Sequence, residues 1–346
     1  MTAAARAAVA GGMTRWANPS SPHAEGRAAR AALEEARARI AAAHGWTGEV
    51  ILTSGASEAL ALALNRSVAN HLVHTTVEHD AVLRAVVESY HLNVDANGLL
   101  GPENLDFHLQ RAVRPDALLC IQWANSETGV KQPLAAIAEA AHAAGHLLLV
   151  DAAQMPACLA DEVSPHADLI ALSAHKHGGP PGIGALLVRD LATLNPTGGQ
   201  ERGYRPGTEN LPGALGWAAA LGEPEPVAQW AVLRARLDDA ITRSGGEVVA
   251  AASPRHPAIG SYRMPGVAAT TQLIRFDLAG IAVSAGSACS SGSLKPSHVL
   301  AAMGWSEAAS REVIRISFGR DTTGADVERA IAAWRDIARA TRKFAA

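Results

Sequence analysis

The sequence predicts an α/β protein in which a mostly parallel sheet carries helices on both faces and a smaller α+β unit follows. Three observations carry that expectation. Short apolar runs recur between turn residues, and stretches with helical spacing separate them. Polar residues stand just past several of those runs, where the rim of a parallel sheet binds ligands. After Gly246 the regular alternation ends, so residues 1–228 read as a large domain and residues 229–346 as a small one.

At 346 residues the chain can bury a large core. Hydrophobic residues make up 48% and charged residues 18%, the balance of a globular enzyme. A net charge of −3 leaves no basic footprint for nucleic acid, and no run approaches the roughly 18 apolar residues of a membrane helix. Arg6 and Arg15 precede the first acid, Glu25, but an Ala-rich helix fits this segment better than a transit peptide. Cys120, Cys158 and Cys289 show no metal spacing. The expectation is therefore no metal site and a reducing compartment, the cytoplasm.

In chain order, a loop at residues 19–22 precedes a helix over Ala24–Ala43, whose Ala29, Leu33, Ala36 and Ile40 repeat at helical spacing before Gly45. Residues 49–52 form a strand that runs into Thr53-Ser54-Gly55-Ala56-Ser57 and then an Ala/Leu-rich helix. Such a unit either offers helix-start N–H groups to a phosphate or is simply a capped helix. Strands follow at 72–76 and 117–123, trailed by Glu78-His79 and Asn125-Ser126-Glu127. A helix at 134–144 stops at Gly145.

Residues 147–150, 169–172 and 184–188 are three buried strands. The first leads into Asp151 and Gln154, the second into Ser173, His175 and Lys176. An acid and a lysine at such a rim form a salt bridge, or they hold an aldehyde cofactor, with the lysine as an imine and the acid against a protonated pyridine nitrogen. Residues 178–210 are rich in glycine and proline. Beyond them the pattern predicts a helix at 227–244 and strands at 247–250, 271–276 and 313–318. A last helix runs from about 325 to 343, with Val327, Ile331 and Trp334 on one face.

Several motifs read more simply than they first look. GGPPGIG at 178–184 precedes a strand, so it is not a dinucleotide loop. His142 and His146 read as surface histidines, and His175 and His177 flank Lys176 on opposite sides of an extended segment. Cys120 and Cys158 read as small buried hydrophobes. Cys289 differs, because SAGSACSSGS gives a thiol no core to pack in; it is a candidate mobile nucleophile.

Together these residues carry a resemblance. Ser173-x-His175-Lys176 after Val150-Asp151-Ala152-Ala153-Gln154 resembles the class V, fold type I enzymes that use pyridoxal 5′-phosphate. TSGASE, TVEHDAV, GGQERGYRPGTEN and SAGSACSS with LKPSHVL narrow it to the cysteine desulfurases, collinearly from Asn18 to Arg320. The Gly-Ser-Ala-Cys loop is similar to that of the group supplying iron–sulfur assembly and tRNA thiolation. The resemblance implies a seven-stranded, mostly parallel sheet and a homodimer that converts L-cysteine to L-alanine and hands sulfur to an acceptor or scaffold protein.

By that resemblance Lys176 would bind the cofactor aldehyde and shuttle the Cα proton. Asp151 would hold the pyridine nitrogen protonated, Gln154 would donate to the ring oxygen, and His79 would stack on the ring. Ala56, Ser57, Ser173 and His175 would bind the phosphate, with Thr208 reaching across from the second subunit. Arg315 would take the substrate carboxylate, supported by Asn18, and Cys289 would receive the sulfur as a persulfide. A selenocysteine lyase, another class V aminotransferase and a weakly active regulatory relative are the alternatives.

Two features depart from the family pattern. Ser126 stands where a second asparagine usually contacts the ring oxygen. The chain also begins after the place of the family's Asp-x-x-Ala-Thr-Thr-Pro turn, which implies normal cofactor retention with loose cysteine binding.

Overall fold

In the computed structural model, which describes residues 1–86, 88–101, 105, 116–286 and 296–342, the apolar runs assemble into two sheets. The larger contains β1 (Glu49–Thr53), β2 (His71–Thr75), β3 (Tyr90–Leu92), β4 (Ala117–Gln122), β5 (Leu147–Asp151), β6 (Leu169–Ser173) and β7 (Gly184–Val188). Their order is β1-β7-β6-β5-β4-β2-β3. The run from β3 to β6 is parallel, and β7 is antiparallel to both β6 and β1. Every residue of β4, β6 and β7 is buried, because helices cover both faces.

Alternation along each strand divides the core in two. Leu148 and Val150 of β5 face one layer with Leu33 and Ile40 of α2 (Ala24–Ala43), Ile137 of α5 (Leu134–Ala143) and Trp217 of α6 (Leu211–Ala220). Leu149 faces the other, with Leu60 and Leu64 of α3 (Ala56–Arg66) and Val82 of α4 (Asp80–Ala85). The helix α1 (Ala3–Thr14) confirms the Ala-rich reading of the N-terminal segment and packs on α6. In α2, Ala29, Leu33, Ala36 and Ile40 are all buried, and the His23 ring accepts the Gly26 N–H at 3.1 Å as its cap.

The second sheet is antiparallel and holds β8 (Glu247–Val248), β9 (Ile259–Arg263), β10 (Ser284–Ala285) and β11 (Val313–Ser317), in the order β10-β11-β9-β8. Its helices are α7 (Val227–Arg243), α8 (Ala269–Leu278), α9 (His298–Ala302), α10 (Glu307–Ser310) and α11 (Gly324–Arg342). Leu237, Ile241, Tyr262, Phe276, Ile314 and Trp334 meet in its core, and Val327 and Ile331 join them from α11 as its spacing predicts.

Five sequence expectations are corrected, the first being that residues 175–177, read as extended, form part of a 3₁₀ turn, Ala174–His177, that directly follows a strand. Residues 271–276 are helix, inside α8, rather than strand. Thr270, Thr271 and Ile274 suggest a strand by their branching, yet the buried residues Ala269, Gln272 and Phe276 recur at helical spacing while Ile274 faces solvent. The strand expected at 247–250 ends at Val248, and Ala250 takes a left-handed φ of 53°. His146 is buried rather than on the surface; its Nδ1 accepts the Ala117 N–H at 3.3 Å. Cys158 is exposed rather than buried, because it falls on the outer side of a short 3₁₀ turn, Ala157–Glu162.

Candidate active site

β1, β2, β4, β5 and β6 all run the same way, so their C-terminal ends share one rim. That rim borders a cavity of about 480 Å³. Ala56, Ser57, His79, Ser126, Asp151, Gln154, Ser173, His175, Lys176 and Arg315 all line it, so ten residues singled out from separate stretches converge on one space.

Lys176 sits on the cavity wall in a 3₁₀ turn, Ala174–His177, that follows β6 directly. The turn is bolted from behind. Trp217 Nε1–H donates to His177 Nδ1 at 3.2 Å, which leaves His177 Nε2–H to donate to the Met155 carbonyl at 2.8 Å. Complete burial holds the His177 imidazole neutral, with its pKa pushed down to about 3. Gly178 ends the turn at φ 77°, where a Cβ would lie 2.8 Å from Thr2 Cγ2 and 2.9 Å from Arg320 Nε.

Opposite, β1 runs through Thr53 into the turn before α3. Ala56 and Ser57 open that helix, where backbone N–H groups lack intrahelical acceptors. Gly55 Cα approaches Gly184 closely, and a Cβ on Gly184 would fall 2.6 Å from it. Ser173 Oγ and His175 Nδ1 lie 2.8 Å apart on the same side. Burial, then the neighbouring Lys176, pushes the His175 imidazole down. Backbone amides, a hydroxyl and an imidazole converging at a helix start suit a phosphate.

Two buried acids interact here, and of the two only Asp151 lines the cavity. Burial pushes the Asp151 carboxyl up; the Ala153 N–H at 3.0 Å, His79 and Lys176 oppose that shift. Glu78 is completely buried, and burial raises its pKa to about 8. Thr75 Oγ1 and the Gln122 N–H donate to its Oε1 at 2.6 and 3.2 Å, while Oε2 has no hydrogen-bond partner among the described residues. Burial thus favours the neutral form of Glu78 near Asp151. His79 caps α4, its Nδ1 accepting the Ala81 N–H at 3.1 Å, which leaves Nε2 as the ring's donor.

Arg315, on β11, brings the second sheet to the cavity. Its Nη1 donates to the Ser126 carbonyl at 2.7 Å. Asn125 shapes that turn, its Oδ1 accepting the Glu127 and Thr128 N–H groups at 2.9 Å. The backbone of residue 126 thus positions the guanidinium, whatever its side chain does. A second cavity of about 270 Å³ adjoins the first through Ser126, Gln154, Lys176 and Arg315, and extends to Trp230, His256 and Phe318.

Two expected residues stand apart, and a third is not described. Asn18 borders neither cavity; its Oδ1 accepts the Ser20 N–H at 2.9 Å. Thr208 is exposed on the loop that follows β7 and borders neither cavity. Cys289 lies outside the described residues. Sequence reasoning missed Gln122, which lines the first cavity but is hidden inside an apolar run, and Glu78, quoted beside His79 yet given no role. It also missed Trp230, His256 and Phe318, which no local motif joins to Lys176. Among the described residues no three His, Cys, Asp or Glu side chains are grouped to hold a metal ion, and no helix is long and apolar enough to cross a membrane.

The family model for aminotransferase class V matches residues 13–330. A cysteine desulfurase of Gluconacetobacter diazotrophicus is 38% identical, the match covering 92% of this chain and 85% of that one. A cysteine desulfurase of Cereibacter sphaeroides is 36% identical over 91% of this chain and 86% of its own. Among solved structures, the NifS-like protein of Rickettsia africae superimposes with a TM-score of 0.88 at 26% identity, covering 97% of this chain and 96% of that one.

Proposed function

The chain belongs to the class V aminotransferases and, within them, to the cysteine desulfurases, enzymes dependent on pyridoxal 5′-phosphate; from that premise we propose how its own residues divide the reaction. The observation that carries the proposal is one cavity holding a buried acid, a lysine, a phosphate-type turn and Arg315. These residues fit the cofactor. Asp151 would pair with the pyridine nitrogen, Gln154 with the ring oxygen, and Lys176 with the aldehyde. Ala56, Ser57, Ser173 and His175 would take the phosphate. His79 would stack on the ring, and Ser126 would offer a shorter donor than the usual asparagine. When bound, the cofactor supplies an aldehyde and a ring that accepts electrons from the substrate's Cα.

The remaining work falls to the chain. The Arg315 guanidinium binds the α-carboxylate of L-cysteine, a planar task suited to its fork. Its tie to the Ser126 carbonyl fixes the angle at which that carboxylate sits. Lys176 would remove the Cα proton and return it. The Cys289 thiolate then attacks the substrate sulfur. The carbon–sulfur bond breaks with its electron pair left on carbon, and protonation of that carbon gives L-alanine. Sulfur remains on Cys289 as a persulfide for an acceptor or scaffold protein, serving iron–sulfur cluster assembly or tRNA thiolation.

Thr208 is exposed in one chain, so its phosphate role belongs to a homodimer in which each subunit completes the other's site. Mass spectrometry after exposure to L-cysteine tests the whole reading. The expected products are L-alanine and a mass increase of one sulfur on the peptide containing Cys289. A persulfide on Cys120 or Cys158 instead would overturn the assignment.

A further inference from the structure

The loop between β7 and α6 is fastened to its own subunit at two points. At its base the Glu201 carboxylate is buried against β1. It accepts two bonds from Arg37, at 2.6 and 3.2 Å, and the Leu52 N–H at 3.0 Å. Glu201 and Arg202 hold left-handed φ values of 50° and 57°, a conformation L-residues keep only when their surroundings enforce it. Nearer its tip, Arg205 Nε donates to Glu58 Oε1 at 3.0 Å, and its Nη1 reaches the Gly207 carbonyl at 3.5 Å, one residue before Thr208.

Glu58 stands in the first turn of α3, and its Oε2 accepts the Ser54 N–H at 2.5 Å. Burial opposes its ionisation, but the bonds from Arg205 and Ser54 prevail and hold its carboxyl below the usual range. A full negative charge here stands beside the turn assigned to a phosphate dianion, which repels it. A neutral glutamine could accept the Ser54 N–H equally well. What needs the charge is Arg205.

We propose that Glu58 and Arg205 form a positioning pair that ties each subunit's own phosphate turn to the loop it lends its partner, so that Thr208 is set for the second subunit's phosphate. This rests on the reading that Thr208 acts across a dimer. The continuous path is Ser54 N–H, Glu58, Arg205, Gly207 carbonyl and Thr208. Because Glu58 acts on the partner only through the loop, its two effects have different signs. Removing its charge relieves repulsion in its own site and loosens Thr208 for the other.

The test uses mixed dimers of two differently tagged chains. One chain carries Lys176→Ala, so the absorbance of lysine-bound cofactor reports the other chain's site alone during titration of apoprotein with pyridoxal 5′-phosphate. Glu58→Gln or Arg205→Gln in the Lys176→Ala chain should weaken the reporting site about threefold to tenfold, the range of one lost hydrogen bond. Glu58→Gln in the reporting chain should not weaken it, and Arg205→Lys should recover part of the loss. Thr208→Ala in the Lys176→Ala chain is the reference. If it weakens the reporting site and the Glu58 and Arg205 variants do not, or weaken it equally from either chain, the positioning pair is refuted and the shared site stands. If Thr208→Ala has no effect across the dimer, the shared-site reading falls and the proposal with it. Melting curves of each apo dimer exclude a general loss of folding as the cause.

Discussion

Replacing Glu78 by glutamine probes the buried charge balance around Asp151, and pH is the variable that isolates it. The folded-state pKa of about 8 lies above the carboxyl's ordinary 4.5. A raised folded pKa means that stability is fully present below the unfolded value and is lost as pH rises through the folded one. Between pH 6 and 9 the unfolded chain holds Glu78 ionised, while the folded chain must give up the proton and bury the charge. The linkage relation gives a loss of about 2 kcal/mol by pH 6 and about 5 kcal/mol by pH 9. The window between them should cost the wild type about 2–3 kcal/mol that the glutamine variant never loses.

The amide has a cost of its own, since it places an NH₂ group where Oε2 has no partner among the described residues. That cost does not change with pH and cancels from the difference. Urea unfolding of both apoproteins at pH 6, 7, 8 and 9 measures it. The wild type should lose stability relative to Glu78→Gln over this range, steeply up to about pH 8 and little beyond. Parallel curves would show that Glu78 is ionised in the folded protein.

Three further outcomes follow from the assigned roles. Borohydride reduction should fix a phosphopyridoxyl group on Lys176, and peptide mapping that found it on Lys131, which is paired with Glu162 at 2.6 Å, would refute the assignment. Cys289→Ser should keep cofactor absorbance and cysteine binding yet form no persulfide, because a hydroxyl is a far weaker nucleophile than a thiolate; sulfide release at an unchanged rate would make the thiol structural. Arg315→Gln loses a charge-assisted carboxylate contact, so KM for L-cysteine should rise about 10- to 150-fold with cofactor affinity intact; an unchanged KM would place the carboxylate elsewhere.

Local chemistry made much of this protein legible in its sequence. The strands bearing Asp151 and Ser173 show as apolar runs because they are buried on both faces, and such strands need no partner to announce themselves. The polar residues at their ends follow from the same rule. Helix α2 is equally plain, since its buried positions repeat every three or four residues. The second sheet was legible only in part: its strand at Val313–Ser317 shows in the sequence, but its middle does not. Its inner strand β9, with Gly260, Ser261 and Arg263, has no apolar run, and neighbouring strands on both sides make it a strand. The helix α8 went the other way, its β-branched residues overruled by which side chains found the core.

The site divides along the same line. The sequence alone determined which side chains exist at the strand ends, and their types named the chemistry. Only tertiary structure decided that Arg315 of one sheet and Lys176 beside the other share a cavity, and that Glu58 reaches Arg205 at a sequence separation of 147. Burial decided the rest. The same carboxyl chemistry leaves Glu58 ionised beside a guanidinium and holds Glu78 protonated in the interior, because desolvation and the nearest charge, rather than residue type, set which form is stable.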